Sequence, residues 1–477
     1  METFYWHDYE TWGINPASDR PSQFAGLRTD LDFNPLGEPL NIYCKPALDT
    51  LPHIEACLVT GITPQQAADE GVIERDFFAA IHSEMARAGT CVVGYNSLRF
   101  DDEVTRYGLY RNFYDPYARE WQHGNTRWDI IDMVRLCYAV RPQGLSWPQR
   151  DDGLVSFKLE QLTAANGLAH ESAHDALSDV YATLNLARLI KQQQPRLYDH
   201  LFQLRHKKVA QQALELGSNK PKLHISSRFG AEHACASLIL PVVEHPVNKN
   251  EILCVDLRYS PAPLLELPAE ELQLLQYTKV AELPNGIERI PLKSVHINRC
   301  PVVLSPGLID AAVAERMSLD LQRCEQHRQQ LIGYAELAEK LRAMAALHSF
   351  DDSNKVAEEK LYSGFIPRQD QQALHEIPAL NAEQLAARHF SFVDQRLPDL
   401  LFRYRARNFP HSLTAAERLE WLEYCRDRLL GPTGDSLVSE LEKIDQLLQS
   451  STEAEQTLLS LTKQYLQQQC ATLNQAH

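Results

Sequence analysis

The chain has 477 residues, 44% of them hydrophobic and 23% charged, with a formal net charge of −16; this is ordinary globular composition in a chain too long for one hydrophobic core, so two or three domains are expected. No basic region followed by an apolar run opens the sequence, and no apolar stretch reaches spanning length, which speaks against a secretory leader or a membrane span and predicts a cytoplasmic protein. The ten cysteines, from Cys44 to Cys470, include no close pair and no CxxC, so reduced thiols are expected in place of a disulfide framework or a zinc site.

The first element lies at the amino terminus. METFYW is aromatic and β-prone, and HDYETWG (His7 to Gly13) continues it, so a strand is predicted. Residues two apart on a strand share a face, which sets Asp8 and Glu10 side by side. Two like charges in a half-buried place raise each other's pKa and cost stability unless a cation sits between them. Next, CVVGYN (Cys91 to Asn96) is a short apolar run ended by turn chemistry and reads as a buried strand; Asp101 and Asp102 follow in GYNSLRFDDEV. RWDIIDMVRLCYAV, with Ile130, Ile131, Met133, Val134, Leu136 and Cys137, suits a largely buried helix or a strand feeding one. ESAHDALSDVYATLNLARLIKQQQP places Leu177, Val180, Tyr181 and Leu184 at helical spacing, with Ser172 and Asp175 as an S-x-x-D start and Pro195 as the end. This alternation predicts an α/β layer fold over residues 1–195.

After Pro195 the pattern changes. KLHISS, SLILPVV and EILCVDLRY are short β-rich runs separated by turn-prone residues and predict a small, mostly β domain over 196–346. From about Leu308 the pattern turns helical. Thr414 with Glu417, and Thr452 with Glu455, supply T-x-x-E helix starts, and residues 347–477 are expected to form a helical domain.

The negative total argues against a nucleic-acid partner, but it is uneven: about −11 falls before residue 200, about +1 between 201 and 345, and about −6 after that. Arg196, Arg205, Lys207, Lys208, Lys220, Lys222 and Arg228 form a basic stripe opposed only by Asp199 and Glu215. A local stripe of this kind tracks phosphates in spite of a negative total.

The acids carry the chemistry. Asp8, Glu10, Asp101 and Asp179 all stand among apolar neighbours near a strand end or helix start, where solvated acids have no reason to be. If they converge, two divalent cations relieve the repulsion, and hard Mg²⁺ or Mn²⁺ prefers carboxylate oxygen. Two such ions about 3.5–4 Å apart form a clamp suited to phosphodiester cleavage. The remaining need is a base for the attacking water, and His174 is the candidate. His174 and Asp179 are five residues apart, about 140° around an ideal helix, so His174 is expected in the first turn or in the loop before it.

DYETWG, GYNSLRFDDEV and AHDALSDV resemble the three motifs of the DEDDh exonuclease superfamily. RNFYDPYAREWQHGNTRWD, RPQGLSWP, DDGLVSFKLEQLTAANG and LLFRYRARNFP extend the likeness, across nearly the whole chain, to the bacterial exodeoxyribonuclease I family. That resemblance implies a ribonuclease H-like exonuclease domain of α/β class, followed by an SH3-like β-rich domain and a C-terminal helical domain, together closing around the strand. It implies processive degradation of single-stranded DNA from the 3′ end to 5′-mononucleotides with Mg²⁺, and roles in DNA repair and recombination. It assigns Asp8, Glu10, Asp101 and Asp179 to metals and His174 to general base catalysis. The expected nucleic-acid contacts are Arg106, Arg111, Arg141, Arg205, Lys207, Lys220 and Arg228. The resemblance further implies docking of the acidic C-terminal tail of single-stranded-DNA-binding protein, with Arg141 and Lys220 at suitable positions; His200 stands where a tyrosine is expected, and the surroundings of Ala338 are less basic than the pattern. A monomer is expected.

Two other classes compete with this reading. An RNA-directed relative such as an oligoribonuclease is short, and some 280 further residues argue against it. A catalytically idle single-strand-holding module would have lost an acid or the histidine, and none is lost.

Overall fold

The computed structural model describes residues 2–170, 174–278, 282, 289–347, 352–431 and 436–474. The chain folds into two compact units that are not contiguous in sequence: Met1–Thr126, His170–Tyr181 and Asp352–His477 form the first, and Arg127–Ala169 with Ala182–Asp351 the second.

In the first unit the predicted amino-terminal strand is β1 (Thr3–Thr11). It runs antiparallel to β2 (Pro21–Thr29), which pairs in turn with β3 (Leu40–Tyr43), and parallel to β4 (Thr90–Gly94). The strand order is β3-β2-β1-β4, and the chain passes into the second unit at β5 (Thr126–Asp129). This is the mixed sheet with accompanying helices that a ribonuclease H-like domain requires. The cross-strand register sets Asp8 opposite Ala25 and Glu10 opposite Gln23, with an irregularity between Glu10 and Thr11.

Two helices pack beside these strands: α1 (Glu74–Met85) and α2 (Asp101–Arg111). Phe77, Phe78, Ile81 and Met85 of α1 join Tyr5, Tyr9, Phe24, Val92, Val104 and Leu109 in one apolar cluster. At Gly108 an added Cβ would lie 1.9 Å from the Phe78 ring, so a glycine is needed for α2 to approach α1 this closely. Every residue of α2 except Glu103 is buried.

The carboxy-terminal helices belong to this same unit. Trp12, just past β1, shares a cluster with Trp421, Cys425, Leu429, Leu437, Ile444 and Leu466. A buried ionic network accompanies it. Asp49 accepts from Arg407 (Nη2, 2.8 Å) and Arg20 (3.3 Å), and Arg407 also reaches Glu358 at 2.5 Å. Burial alone would raise the Asp49 carboxyl, yet Arg407 and Arg20 hold it well below the usual carboxylate range. Arg407→Met should therefore destabilise the protein by about 3–5 kcal/mol, because two carboxylates would stay buried without their main partner. Urea unfolding followed by far-ultraviolet circular dichroism measures this, and a loss below about 1 kcal/mol would show that the network is dispensable.

In the second unit RWDIIDMVRLCYAV resolves as a strand feeding a helix: β5 runs into α3 (Ile130–Val140), and the Asp129 side chain accepts the Ile131 N–H at 3.0 Å. The three β-rich runs become β6 (Lys222–Ile225), β7 (Ala236–Glu244) and β8 (Glu251–Asp256). With β9 (Leu292–His296) and β10 (Val303–Leu304) they form an antiparallel sheet of order β10-β6-β7-β8-β9. Its apolar face gathers Ile239, Ile252, Cys254, Val295 and Val303 against Ala210 and Leu214.

The helix predicted around Asp179 is α4 (Ala176–Gln193). Ser172, read as part of its start signal, lies outside the described residues. Pro195 does close it off, but by opening the next helix, Pro195–Leu204, in the first-turn position where a missing N–H costs nothing. Beyond Leu308 the described elements are all helical, and Thr414 with Glu417 forms the predicted reciprocal cap. No helix among the described residues is long and apolar enough to cross a membrane.

Candidate active site

The first unit brings the predicted acids together. Asp8 and Glu10 project from one face of β1, as a two-residue period requires. Parallel pairing of β1 with β4 stops at Trp6 opposite Val93, and further on the Tyr9 N–H donates to Asp101 Oδ1 at 3.2 Å. Asp101 is held there by its own helix: it is the first residue of α2, where the free N–H groups and the positive end of the helix dipole favour a carboxylate. Thr105, one turn on, donates to Asp101 O at 2.8 Å and lies 3.0 Å from the Tyr9 hydroxyl, tying α2 to β1. A left-handed backbone at Asn96 (φ 60°) turns the chain out of β4 towards this start.

Asp179 comes from the first turn of α4. Its Oδ1 lies 2.6 Å from His170 Nε2, and its Oδ2 accepts the His174 backbone N–H at 3.2 Å. His174 precedes the helix, with φ of 66° and an exposed side chain. It is thus in the loop before α4, the placement that the 140° argument requires. One ring nitrogen of His174 and one oxygen each of Glu10 and Asp179 lie within 4.8 Å of one another.

The carboxylates feel one another. The Asp8 carboxyl is raised well above its usual range by burial first, then by Asp101, Glu10, Asp179 and Asp175. Glu10 is pushed up to about 9 by burial and by Asp179, Asp101 and Asp175. Burial also raises Asp179, with the His170 hydrogen bond pulling the other way. The donors are carboxylate oxygens with one imidazole, and their mutual repulsion marks a place short of positive charge; this is a set that fits hard divalent cations.

A stability consequence follows. Burial and the neighbouring carboxylates push Glu10 in the folded, cation-free protein up to about 9, from an ordinary value of 4.5. The native state then binds more protons than the unfolded state across that window, so this group's contribution falls as pH rises through it. In chelator the melting temperature should fall from pH 5 to pH 9. Added Mn²⁺ should raise it more at pH 8 than at pH 5, because protons and cations compete for the same oxygens. Differential scanning calorimetry at both pH values checks this; an equal Mn²⁺ effect at the two would contradict it.

Three residues here were not read as part of the site, although Asp175 was read as part of a helix start. His170 contacts Asp179 directly. Asp175 adds a fifth carboxylate and accepts from Gln23 Nε2 (3.2 Å) and Ser178 N (3.0 Å). Gln23 also accepts the Ala176 N–H at 3.3 Å, fastening the start of α4 to β2. The signal was partly present: LAHESAHDALSD carries a second histidine and a second aspartate around the H-x-x-x-x-D spacing.

Three expected phosphate contacts, Arg106, Arg111 and Arg205, are buried. Arg106 is 4% exposed, and its guanidinium is held by Glu120 (2.7 and 2.9 Å), Glu103 (2.8 Å) and the Tyr362 hydroxyl (3.0 Å). Arg111 is 1% exposed and gives two N–H groups to Glu74 (3.1 and 2.8 Å). Both lie on α2, which is packed all round, and are tied to carboxylates inside the protein. Arg205 is likewise buried, its guanidinium 3.4 Å from the centre of the Phe202 ring. Asp102, next to Asp101, is 1% exposed and takes the Arg119 guanidinium at 2.6 Å. By contrast Lys207, Lys220 and Arg228 are exposed and Arg141 is half-buried.

A strand-borne acid pair, a helix-start aspartate and a histidine–aspartate helix start thus meet on a mixed sheet, and residues 5–187, which carry them, match the exonuclease family model. Residues 205–346 match the exonuclease I SH3-like domain and 355–469 the exonuclease I C-terminal domain. Exodeoxyribonuclease I of Escherichia coli K12 is 46% identical over 427 residues, covering 89% of this chain and 90% of that one. Among solved structures, E. coli exonuclease I in complex with a dA16 oligonucleotide superposes with a TM-score of 0.93 at 43% identity, covering 98% of this chain and 100% of that chain. The zinc-bound form of the E. coli exonuclease I–single-stranded DNA complex gives 0.93 at 42% identity, with the same coverage. The chain belongs to the exodeoxyribonuclease I family, and it is an exonuclease.

Proposed function

We propose that this chain degrades single-stranded DNA processively in the 3′→5′ direction, releasing 5′-mononucleotides, and that it serves DNA repair and recombination in the cytoplasm as a monomer. The observation that carries the reading is the convergence of Glu10, Asp179 and His174 within 4.8 Å, beside Asp8 and Asp101. Relatives solved with oligonucleotides support the substrate class, and the direction is what the motif resemblance implies.

In this reading Asp8, Glu10, Asp101 and Asp179 hold two divalent cations, Mg²⁺ or in its place Mn²⁺, since both hard ions suit carboxylate oxygen. When bound, such ions supply the positive charge that an in-line displacement at phosphorus needs. The protein's own residues do the rest. β1 and α2 present three acids from buried, hydrogen-bonded backbone, so little reorganisation is needed at the moment of reaction. His174, exposed on its loop, accepts the proton of the attacking water. Lys207, Lys220, Arg228 and Arg141 remain as phosphate contacts, with Arg141 and Lys220 also taking the acidic tail of single-stranded-DNA-binding protein. We divide the chain by role into an exonuclease domain (1–195), an SH3-like domain (196–346) and a helical domain (347–477), the last two adding strand retention to chemistry that the first performs.

The test is a nuclease assay with Mg²⁺ and with chelator on linear, 3′-blocked, 5′-blocked and circular single strands. Linear and 5′-blocked strands should be consumed only with Mg²⁺, and 3′-blocked and circular ones should persist. Cleavage of circles, or degradation of 3′-blocked strands from the other end, would defeat the proposal.

A further inference from the structure

Asp179 is held at both oxygens by two donors upstream in the chain: the His170 ring at Oδ1 (2.6 Å) and the His174 backbone N–H at Oδ2 (3.2 Å). The His170 side chain is 5% exposed, so this contact is sheltered from water. With Asp179 ionised the carboxylate only accepts, so the ring proton sits on Nε2. Each oxygen retains a further lone pair for a cation.

We infer that His170 is a positioning residue for this reaction: its ring fixes the Asp179 carboxylate in the orientation that meets Glu10 and His174. The inference rests on the metal-holding role given to Asp179 above.

The start of α4 has its own fastening. Gln23, fully buried on β2 opposite Glu10, accepts the Ala176 N–H and donates to Asp175 and to Asn41 (3.1 Å). The helix therefore does not need His170 to stay in place. Removing the ring frees the Asp179 side chain to rotate while the backbone that carries it remains anchored. A flexible carboxylate must then be ordered by the cation itself, which weakens binding, and hydrogen bonds of this outer kind are worth about 10–100-fold in metal affinity or activity.

Full-length protein stripped of metal is titrated with Mn²⁺ alone, the free ion being followed by electron paramagnetic resonance, and kcat and KM are measured on single-stranded DNA. His170→Leu should weaken Mn²⁺ binding about 10–100-fold and lower kcat, with KM for DNA unchanged. His170→Gln, whose amide nitrogen reaches the position of Nε2, should restore most of both. If the leucine variant does not fold, His170→Asn, polar but too short to reach, takes its place against the glutamine variant. Mn²⁺ binding and kcat equal to the parent's in the leucine or asparagine variant, or binding tighter than the parent's, would overturn the inference. Asp179→Asn separates the two levels. If it abolishes Mn²⁺ binding and turnover while His170→Leu changes neither, only the positioning role fails. If it too leaves both unchanged, the metal reading of the site fails and this inference falls with it.

Discussion

Replacing Asp8 or Asp179 by alanine should abolish turnover while leaving single-stranded DNA binding nearly intact. Each acid sits where its charge is costly: Asp8 is raised by burial and by four neighbouring carboxylates. A residue kept at such a cost, among so many like charges, has its return in the bound state. A cation in the site is worth several kcal/mol of transition-state stabilisation, so losing a ligand should cost about 10³-fold or more in kcat at 1.36 kcal/mol per tenfold. DNA affinity draws instead on backbone charges elsewhere, so electrophoretic shift with a labelled oligonucleotide should change by less than about threefold. Asp102→Ala is the internal control. That carboxylate is turned to Arg119 at 2.6 Å, so its loss should act through stability and be milder in kcat than Asp101→Ala. Near-normal rates in the Asp8 or Asp179 variant with Mg²⁺ would remove that residue from the site.

The second large effect belongs to His174. His174→Ala should lower kcat by about 10²–10⁴, the usual worth of a positioned general base. The side chain is exposed, and the backbone N–H by which His174 helps to hold Asp179 is retained by alanine. Stability and Asp179 orientation should therefore survive the substitution, leaving proton transfer as the step lost. Raising the pH should restore part of the rate, since hydroxide gains tenfold per unit and needs no base. Mn²⁺ affinity should stay within about threefold of the parent's, unlike the loss that His170→Leu produces. A His174→Ala protein that loses Mn²⁺ affinity and shows no recovery at high pH would make His174 a ligand and not a base.

Much of the site was legible from local pattern. The pair Asp8 and Glu10 needed only a strand and its period of two, and METFYW announced the strand. Asp101 needed a strand end followed by a helix start, which GYNSLRFDDEV spells. The position of His174 followed from 140° of helical geometry. These are short-range features, set by backbone periods and by which residues begin or break an element, so one stretch of sequence determines them.

What tertiary structure alone decided involves environment and distance. The arginines of α2 look like a surface pair in sequence; they are interior because α2 is covered on all sides, and nothing in DDEVTRYGLYR records what covers it. His170 became a partner of Asp179 because the fold sets its ring 2.6 Å from a carboxylate nine positions on, with a left-handed backbone at His174 that no residue type there demands. Gln23 became a fastening for α4 because β2 brings it next to residues more than 150 positions away. The carboxy-terminal helices pack in one unit with the amino-terminal strands, and there Arg407 meets Asp49, 358 residues apart. In each case the deciding quantity is burial or an opposite charge from a remote segment. A chain encodes these only through its packing, because the free energy of a charge depends on what surrounds it and not on its neighbours in sequence.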